Sequence, residues 1–382
     1  MSGKRYKFAA PCLMGVEKLL ANELKFMDAE NVRADNGRVF FEGGAEMIAR
    51  ANIRSRIAER ILLVCASFEA RSFEELFNGV RDVAWCDILP INAQFPVTGS
   101  CLSSKLMSVP DCQAIVKKAV AESLKSSGRI KGMLPESGAL YKIRFLILKD
   151  KVSIMIDTTG EPLHKRGYRA LSGGAPIKET LAASLCELAK VRADHTVIDP
   201  TCGSGTILIE AAMKALNIAP GINREFVSEN WSIAPSSVWE SERELARNAV
   251  RKDAAFHGYG SDIDEEVLAV ARENAKKAGV GDRIDFSVKD VRNYEDIGER
   301  VTVICNPPYG ERLLDVNEAE ELYKAMGEVF TIRDGASYTV ICPDDDFERC
   351  FGRRADKRRK LYNGMISCQV YQYFGTGIKK KK

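Results

Sequence analysis

Asn306-Pro307-Pro308-Tyr309 concentrates more chemistry than any other four residues of the chain. The string follows an apolar run, Val301-Thr302-Val303-Ile304-Cys305, and precedes Gly310, so it reads as a strand running out into a turn. The two prolines lack N–H donors and stiffen the backbone, which leaves their carbonyl oxygens as fixed acceptors. Asn306 adds an amide that accepts and donates, and Tyr309 adds a flat apolar face. A planar base with an exocyclic amino group fits this set. Its two N–H bonds would meet the Asn306 oxygen and the Pro307 carbonyl while its ring stacks on Tyr309. The competing reading is a proline-rich turn after a buried strand, and a second motif upstream counts against it.

That motif is Asp199-Pro200-Thr201-Cys202-Gly203-Ser204-Gly205-Thr206, between a short strand (His195-Thr196-Val197-Ile198) and an apolar helix that begins at Ile207. Strand, glycine turn and helix N-terminus form a nucleotide-type cradle, where glycines admit the ligand to the backbone and free N–H groups face it. The dinucleotide pattern fails, because Leu208 stands where a third glycine belongs, and no Gly-Lys-Ser/Thr follows. A nucleoside-type ligand without pyrophosphate suits such a loop. Further on, Tyr259-Gly260-Ser261-Asp262-Ile263-Asp264 ends a strand in acids, and Asp262 is placed to accept two ribose hydroxyls. The interval from the glycine loop far exceeds the usual ~20 residues, so the stretch with Trp231, Trp239 and a helix over 240–253 reads as an insertion. Ile284 to Lys289 is another strand, ending in Asp290-Val291, with an acid suited to an adenine amino group.

The series Asp199 to Thr206, Ser261 to Asp264, Asp290 and Asn306 to Gly310 resembles the S-adenosylmethionine-dependent amino-group methyltransferases, in unpermuted order. Leu163-His164-Lys165-Arg166-Gly167-Tyr168-Arg169, Ala175 to Ala182 and Asn306 to Arg312 narrow the resemblance to bacterial THUMP-domain RNA methyltransferases, nearest to those acting on guanine N2 of 23S ribosomal RNA. The resemblance implies an α/β, Rossmann-like methyltransferase domain with a doubly wound, mainly parallel sheet, preceded by an α+β ferredoxin-like and THUMP region. It implies S-adenosylmethionine as cofactor, held by Asp199, Thr201, Cys202, Gly203, Gly205, Thr206, Asp262, Ile263, Asp290, Val291 and Asn306, with Asn306, Pro307, Pro308 and Tyr309 catalytic. It also implies RNA as partner, either ribosomal RNA or a ribosomal assembly precursor. Expected boundaries are 1–65 and 66–160 for the two N-terminal units, 161–178 for a linker and 179–382 for the catalytic domain.

Composition agrees. A chain of 382 residues is long enough for two or three domains. No apolar run approaches the ~18 residues of a membrane span, and the start lacks the pattern of a secretory signal, so a cytoplasmic protein is expected. Eleven cysteines without CxxC pairing and three scattered histidines point to reduced thiols and no metal. Net charge is +3 overall, but residues 351–382 hold ten basic side chains against Asp356 alone. Lys165, Arg166, Arg169, Arg353, Arg354, Arg358 and Arg359 are therefore candidate RNA contacts, and Lys379 to Lys382 a tail.

In the N-terminal half, helices over 15–27, 45–52 and 112–125 alternate with strands at 38–42, 60–65, 94–98, 140–147 and 152–157. Three function classes stay open: a methyltransferase on RNA, the same chemistry on DNA adenine or protein glutamine, and a non-catalytic RNA-binding protein. Tyr309 favours a planar base, and intact Gly203, Gly205, Asp262, Asp290 and Asn306 favour an active enzyme. Guanine and adenine both present an amino group, and the residues do not choose between them.

Overall fold

The computed structural model describes residues 4–126, 134–169, 177–295, 297–309 and 316–375. The N-terminal half runs β1 (Tyr6–Pro11), α1 (Glu17–Phe26), β2 (Glu30–Asp35), β3 (Arg38–Gly43), α2 (Glu46–Arg54), β4 (Leu62–Glu69), α3 (Phe73–Arg81), β5 (Val97–Leu102), α4 (Val109–Ser126), β6 (Ile143–Leu148) and β7 (Lys151–Asp157). The strands form one sheet in the order β2-β3-β1-β4-β7-β6-β5. β4 is the shared strand. It pairs antiparallel with β1 through Phe8↔Leu63, and along its other edge with β7 from Leu62↔Asp157 to Glu69↔Lys151. Two α+β units that look separate in sequence are thus joined by one run of backbone hydrogen bonds. β1 and β2 escape sequence reading for physical reasons. β1 carries Ala9-Ala10 where β-branched residues would signal a strand, and β2 is a polar edge strand, mostly exposed.

The second half runs α5 (Glu179–Leu188), β8 (Thr196–Asp199), α6 (Thr206–Ala215), α7 (Ser236–Asn248), β9 (His257–Asp262), α8 (Glu265–Lys277), β10 (Ile284–Val288), β11 (Val301–Cys305), α9 (Val316–Val329), β12 (Ala336–Cys342), α10 (Phe347–Phe351), β13 (Lys357–Asn363) and β14 (Ile366–Phe374). Its sheet order is β10-β9-β8-β11-β12-β14-β13, parallel from β10 to β12. The β13–β14 hairpin closes one edge, with β14 antiparallel to β12. Helices cover both faces. Leu181, Ile207 and Leu208 pack on one side, and Leu322, Tyr323 and Met326 on the other. This is the expected doubly wound sheet, and its order reverses between β8 and β11, where such folds bind ligands.

The halves are fused by packing. Phe8, Leu20, Ile48 and Ile53 belong to the same apolar cluster as Leu181, Ile207 and Met213. Within the stretch 161–178, expected as a linker, Leu163, Tyr168 and Ile177 are buried, and residues 170–176 lie outside the described residues. The insertion before β9 is the clamp. Trp231 stacks on Tyr141 at 4.3 Å and donates to the Leu140 carbonyl at 3.0 Å, while Glu242 of α7, buried, takes Arg50 and Arg54 of α2. Among the described residues no helix is long and apolar enough to cross a membrane.

Candidate active site

β8 delivers the glycine loop to the carboxyl edge of the sheet. Gly203 and Gly205 adopt φ of +49° and +78°, conformations that L side chains resist. They differ in surroundings. A side chain at Gly205 would crowd Ala271 and Phe286, whereas beyond Gly203 lies open space. The loop is tied to β9, because the Cys202 N–H donates to the Ser261 carbonyl at 2.9 Å and the Gly203 N–H to Asp262 Oδ2 at 2.9 Å. Asp262 therefore shapes the loop, and Asp264 caps α8 next to it. α6 starts at Thr206 with no side-chain cap, so its first N–H groups and the positive end of its dipole remain available.

Asp199 is 1% exposed and accepts the Thr201 N–H at 3.2 Å, and among the described residues no basic side chain pairs with it. Burial, followed by the nearby Asp262, pushes its pKa well above the usual carboxylate range. Burial likewise pushes up the Cys202 thiol, which lines the loop in its protonated form. Ile263 is 74% exposed beside Asp262, an uncovered apolar side chain. Asp290 caps the turn after β10 and holds Arg292 at 2.8 Å. The Val291 side chain is buried in the core against the β11 face, so this residue offers a ligand only its backbone.

β11, buried along its whole length, delivers Asn306 to the same edge. Asn306 Oδ1 and Thr201 Oγ1 are both buried and have no hydrogen-bond partner among the described residues. Buried acceptors are rarely left unpaired, so two orphans on neighbouring strand ends mark a place built for something else. The Pro308 carbonyl accepts the Tyr323 hydroxyl at 3.4 Å, which pins the turn from below. The half-buried Tyr309 accepts a 3.2 Å hydrogen bond from Asn363 Nδ2 at the end of β13. Asn363 stands before a glycine in the sequence, and its contact with Tyr309 has no local signal.

Residues 166–372 match the family described as RMKL-like, methyltransferase domain, residues 7–62 the RlmL ferredoxin-like domain and residues 70–157 the THUMP domain. The chain belongs to the RMKL-like methyltransferase family. It is 44% identical over 380 residues, 99% of its length and 98% of the other, to the Bacillus subtilis (strain 168) protein named "Putative RNA methyltransferase YpsC". It is 34% identical to "Ribosomal RNA large subunit methyltransferase K/L" of Psychromonas ingrahamii, covering 95% of this chain but 49% of the relative, so it spans about half of that larger protein. A solved structure described as "SMU.472, a putative methyltransferase complexed with SAH" superposes with a TM-score of 0.93 at 40% identity, over 98% of this chain and 100% of the other.

This methyltransferase is S-adenosylmethionine-dependent, and its strand ends fit the cofactor. A buried carboxyl at Asp199, with no basic partner among the described residues, suits an ammonium group, the uncapped α6 terminus suits a carboxylate, and the space beyond Gly203 leaves room for both. Among the described residues no group of three or more His, Cys, Asp or Glu is arranged to hold a metal. All eleven cysteines are unpaired.

The basic candidates divide. Arg353, Arg354, Arg358 and Arg359 are exposed on and beside β13, with Arg358 paired to Glu348 and Arg359 donating to the Gly15 carbonyl. Lys165 is exposed and paired with Glu161. Arg166 is not an available RNA contact. It is 6% exposed, ion-paired with Glu210 at 3.3 Å, and donates to the Leu163 and Arg56 carbonyls. Arg169 is also turned inward, donating to Thr206 Oγ1 and the Ile177 carbonyl at 3.0 Å each, with Glu179 at 3.4 Å.

The state of Asp199 is testable by pH. A carboxyl whose folded pKa is raised contributes stability in acid that is lost as pH rises from about 4 through the raised value. Asp199→Asn, which keeps an acceptor for the Thr201 N–H, should melt higher than wild type at pH 8 without cofactor. The difference should shrink as pH falls and vanish near pH 4. With S-adenosylmethionine present, the variant should gain less stability than wild type. Equal melting at pH 8 would show that Asp199 is comfortably ionised in the free protein.

Proposed function

We propose that this enzyme transfers the methyl group of S-adenosylmethionine to an exocyclic amino nitrogen of an RNA base, guanine N2 in 23S ribosomal RNA. The single observation that carries the reading is the Asn306 oxygen, a buried acceptor without a hydrogen-bond partner among the described residues, at the sheet edge next to Tyr309 and across from the glycine loop. Bound S-adenosylmethionine supplies an electrophilic methyl on a sulfonium. Asp199, Thr201, Cys202, Gly203, Gly205 and Thr206 hold its methionine end, Asp262 and Ile263 the ribose side, and Asp290 with the Val291 backbone the adenine. Asn306 and the Pro307 carbonyl hold the amino hydrogens of the target, and Tyr309 stacks on its ring. RNA as substrate is supported by the names of the relatives and by the exposed basic strand β13.

The test is digestion and mass spectrometry of ribosomal RNA from cells with and without the gene. Loss of one N2-methylguanine is expected. Loss of N6-methyladenine would move the same chemistry to the other base, and unchanged RNA would reject the reading. Because a basic rim binds phosphates by releasing counterions, RNA affinity should fall steeply between 50 and 200 mM salt, by about tenfold or more. Charge removal at Arg353, Arg354 and Arg358 together should flatten that slope.

A further inference from the structure

The turn that joins β13 to β14 does more than close a sheet edge. Asn363 and Ile366 are the last paired residues of the hairpin, so the loop is two residues, Gly364 and Met365. Gly364 has φ of +67°, the conformation that a tight hairpin asks of its first loop residue. A loop this short is stiff. At its tip Met365 is 98% exposed, while Leu361 and Cys368 on the same hairpin are buried. Single exposed apolar residues are ordinary on protein surfaces. The position of this one is not ordinary, since Asn363, two residues away, donates to the Tyr309 hydroxyl at 3.2 Å. The tip is therefore pinned beside the ring on which the target base is proposed to stack. The strand leading to it, Lys357 to Lys360, is exposed and basic, and Arg359 anchors it to the N-terminal half through the Gly15 carbonyl at 2.6 Å.

A base that reacts at its amino nitrogen must leave its stack, and the gap it leaves costs a few kcal/mol unless something fills it. Proteins that open base steps do so with apolar wedges, methionine among them. We infer that the β13–β14 tip fills the gap left by the extruded base, with Met365 as the wedge and Asn363 holding tip and Tyr309 in register. The proposal rests on the RNA-base reading above and adds the substrate form it implies: a target that is stacked or paired before it reacts. Lys357 to Lys360 would hold the phosphates flanking the opened step.

The test uses the full-length enzyme and two probes cut from ribosomal RNA of a strain lacking the gene. In one the target base is paired in a stem, and in the other the same strand is left unpaired. Met365→Ala should slow single-turnover methylation of the stem about tenfold or more and leave the unpaired strand within about twofold of wild type. Met365→Leu should restore most of the stem rate. 2-Aminopurine placed beside the target should brighten on binding with wild type and less so with Met365→Ala. Equal losses on both probes, or none on either, would overturn the wedge while leaving the RNA reading intact. Failure of wild type to methylate either probe or the intact ribosomal RNA would overturn both. Because the tip is exposed, unchanged melting of the variants is expected.

Discussion

Asn306→Ala should lower the single-turnover methyl-transfer rate by about 10²–10³-fold with S-adenosylmethionine affinity close to wild type. An amino nitrogen on a base ring is a poor nucleophile because its lone pair is delocalised into the ring. Holding its two hydrogens on fixed acceptors turns the lone pair toward the methyl carbon and stabilises the positive charge that develops on nitrogen. Asn306 Oδ1 has the right character for this, since it is buried, lacks a competing partner among the described residues, and sits at the end of a fully buried strand. An acceptor already oriented and dehydrated needs little reorganisation when the charge appears. Asn306 is no base, so the proton leaves later, to solvent or to another group. Asn306→Asp would put a charge where a neutral acceptor stood and should not restore the rate. A near wild-type rate for Asn306→Ala, at saturating cofactor and RNA, would mean that the motif is only a turn.

The second large effect is on stability. Glu210→Leu should destabilise the protein by about 3–5 kcal/mol, read by denaturant unfolding. The change strands the buried Arg166 guanidinium, which now pairs with Glu210 at 3.3 Å, and also leaves the Tyr168 hydroxyl without its 3.2 Å acceptor. Replacing both charges, Arg166→Met with Glu210→Leu, should be less damaging than Glu210→Leu alone, because the Arg166 charge leaves together with its partner. Were Arg166 an RNA contact, its variants would instead keep their stability and lose salt-sensitive RNA affinity. This pair fastens the segment after β7 to α6, the helix that carries the glycine loop. Removing residues 1–160 should likewise give an unfolded or aggregated fragment, since Phe8, Leu20 and Ile48 complete the cluster that holds Leu181 and Ile207.

What the sequence alone determined is local. The glycine loop, the acids at strand ends and the Asn-Pro-Pro-Tyr turn are set by backbone requirements within a few residues. Their order along the chain carries the family resemblance, and that resemblance implies the parallel sheet that brings the strand ends to one edge. The tertiary structure decided everything that depends on a distant partner. Arg166 and Arg169 look like solvated cations in the chain, and only packing shows Glu210 and Glu179 waiting for them. Trp231 and Glu242 sit in what reads as an insertion, yet each is satisfied by a residue about ninety or more positions away. β4 reads as one strand of one unit, and its second edge is used only when β7 arrives. Asn363 reads as a turn residue, and the fold turns its amide to Tyr309. A side chain's own type says what it can bond, but burial and the partner on the facing element decide what it does.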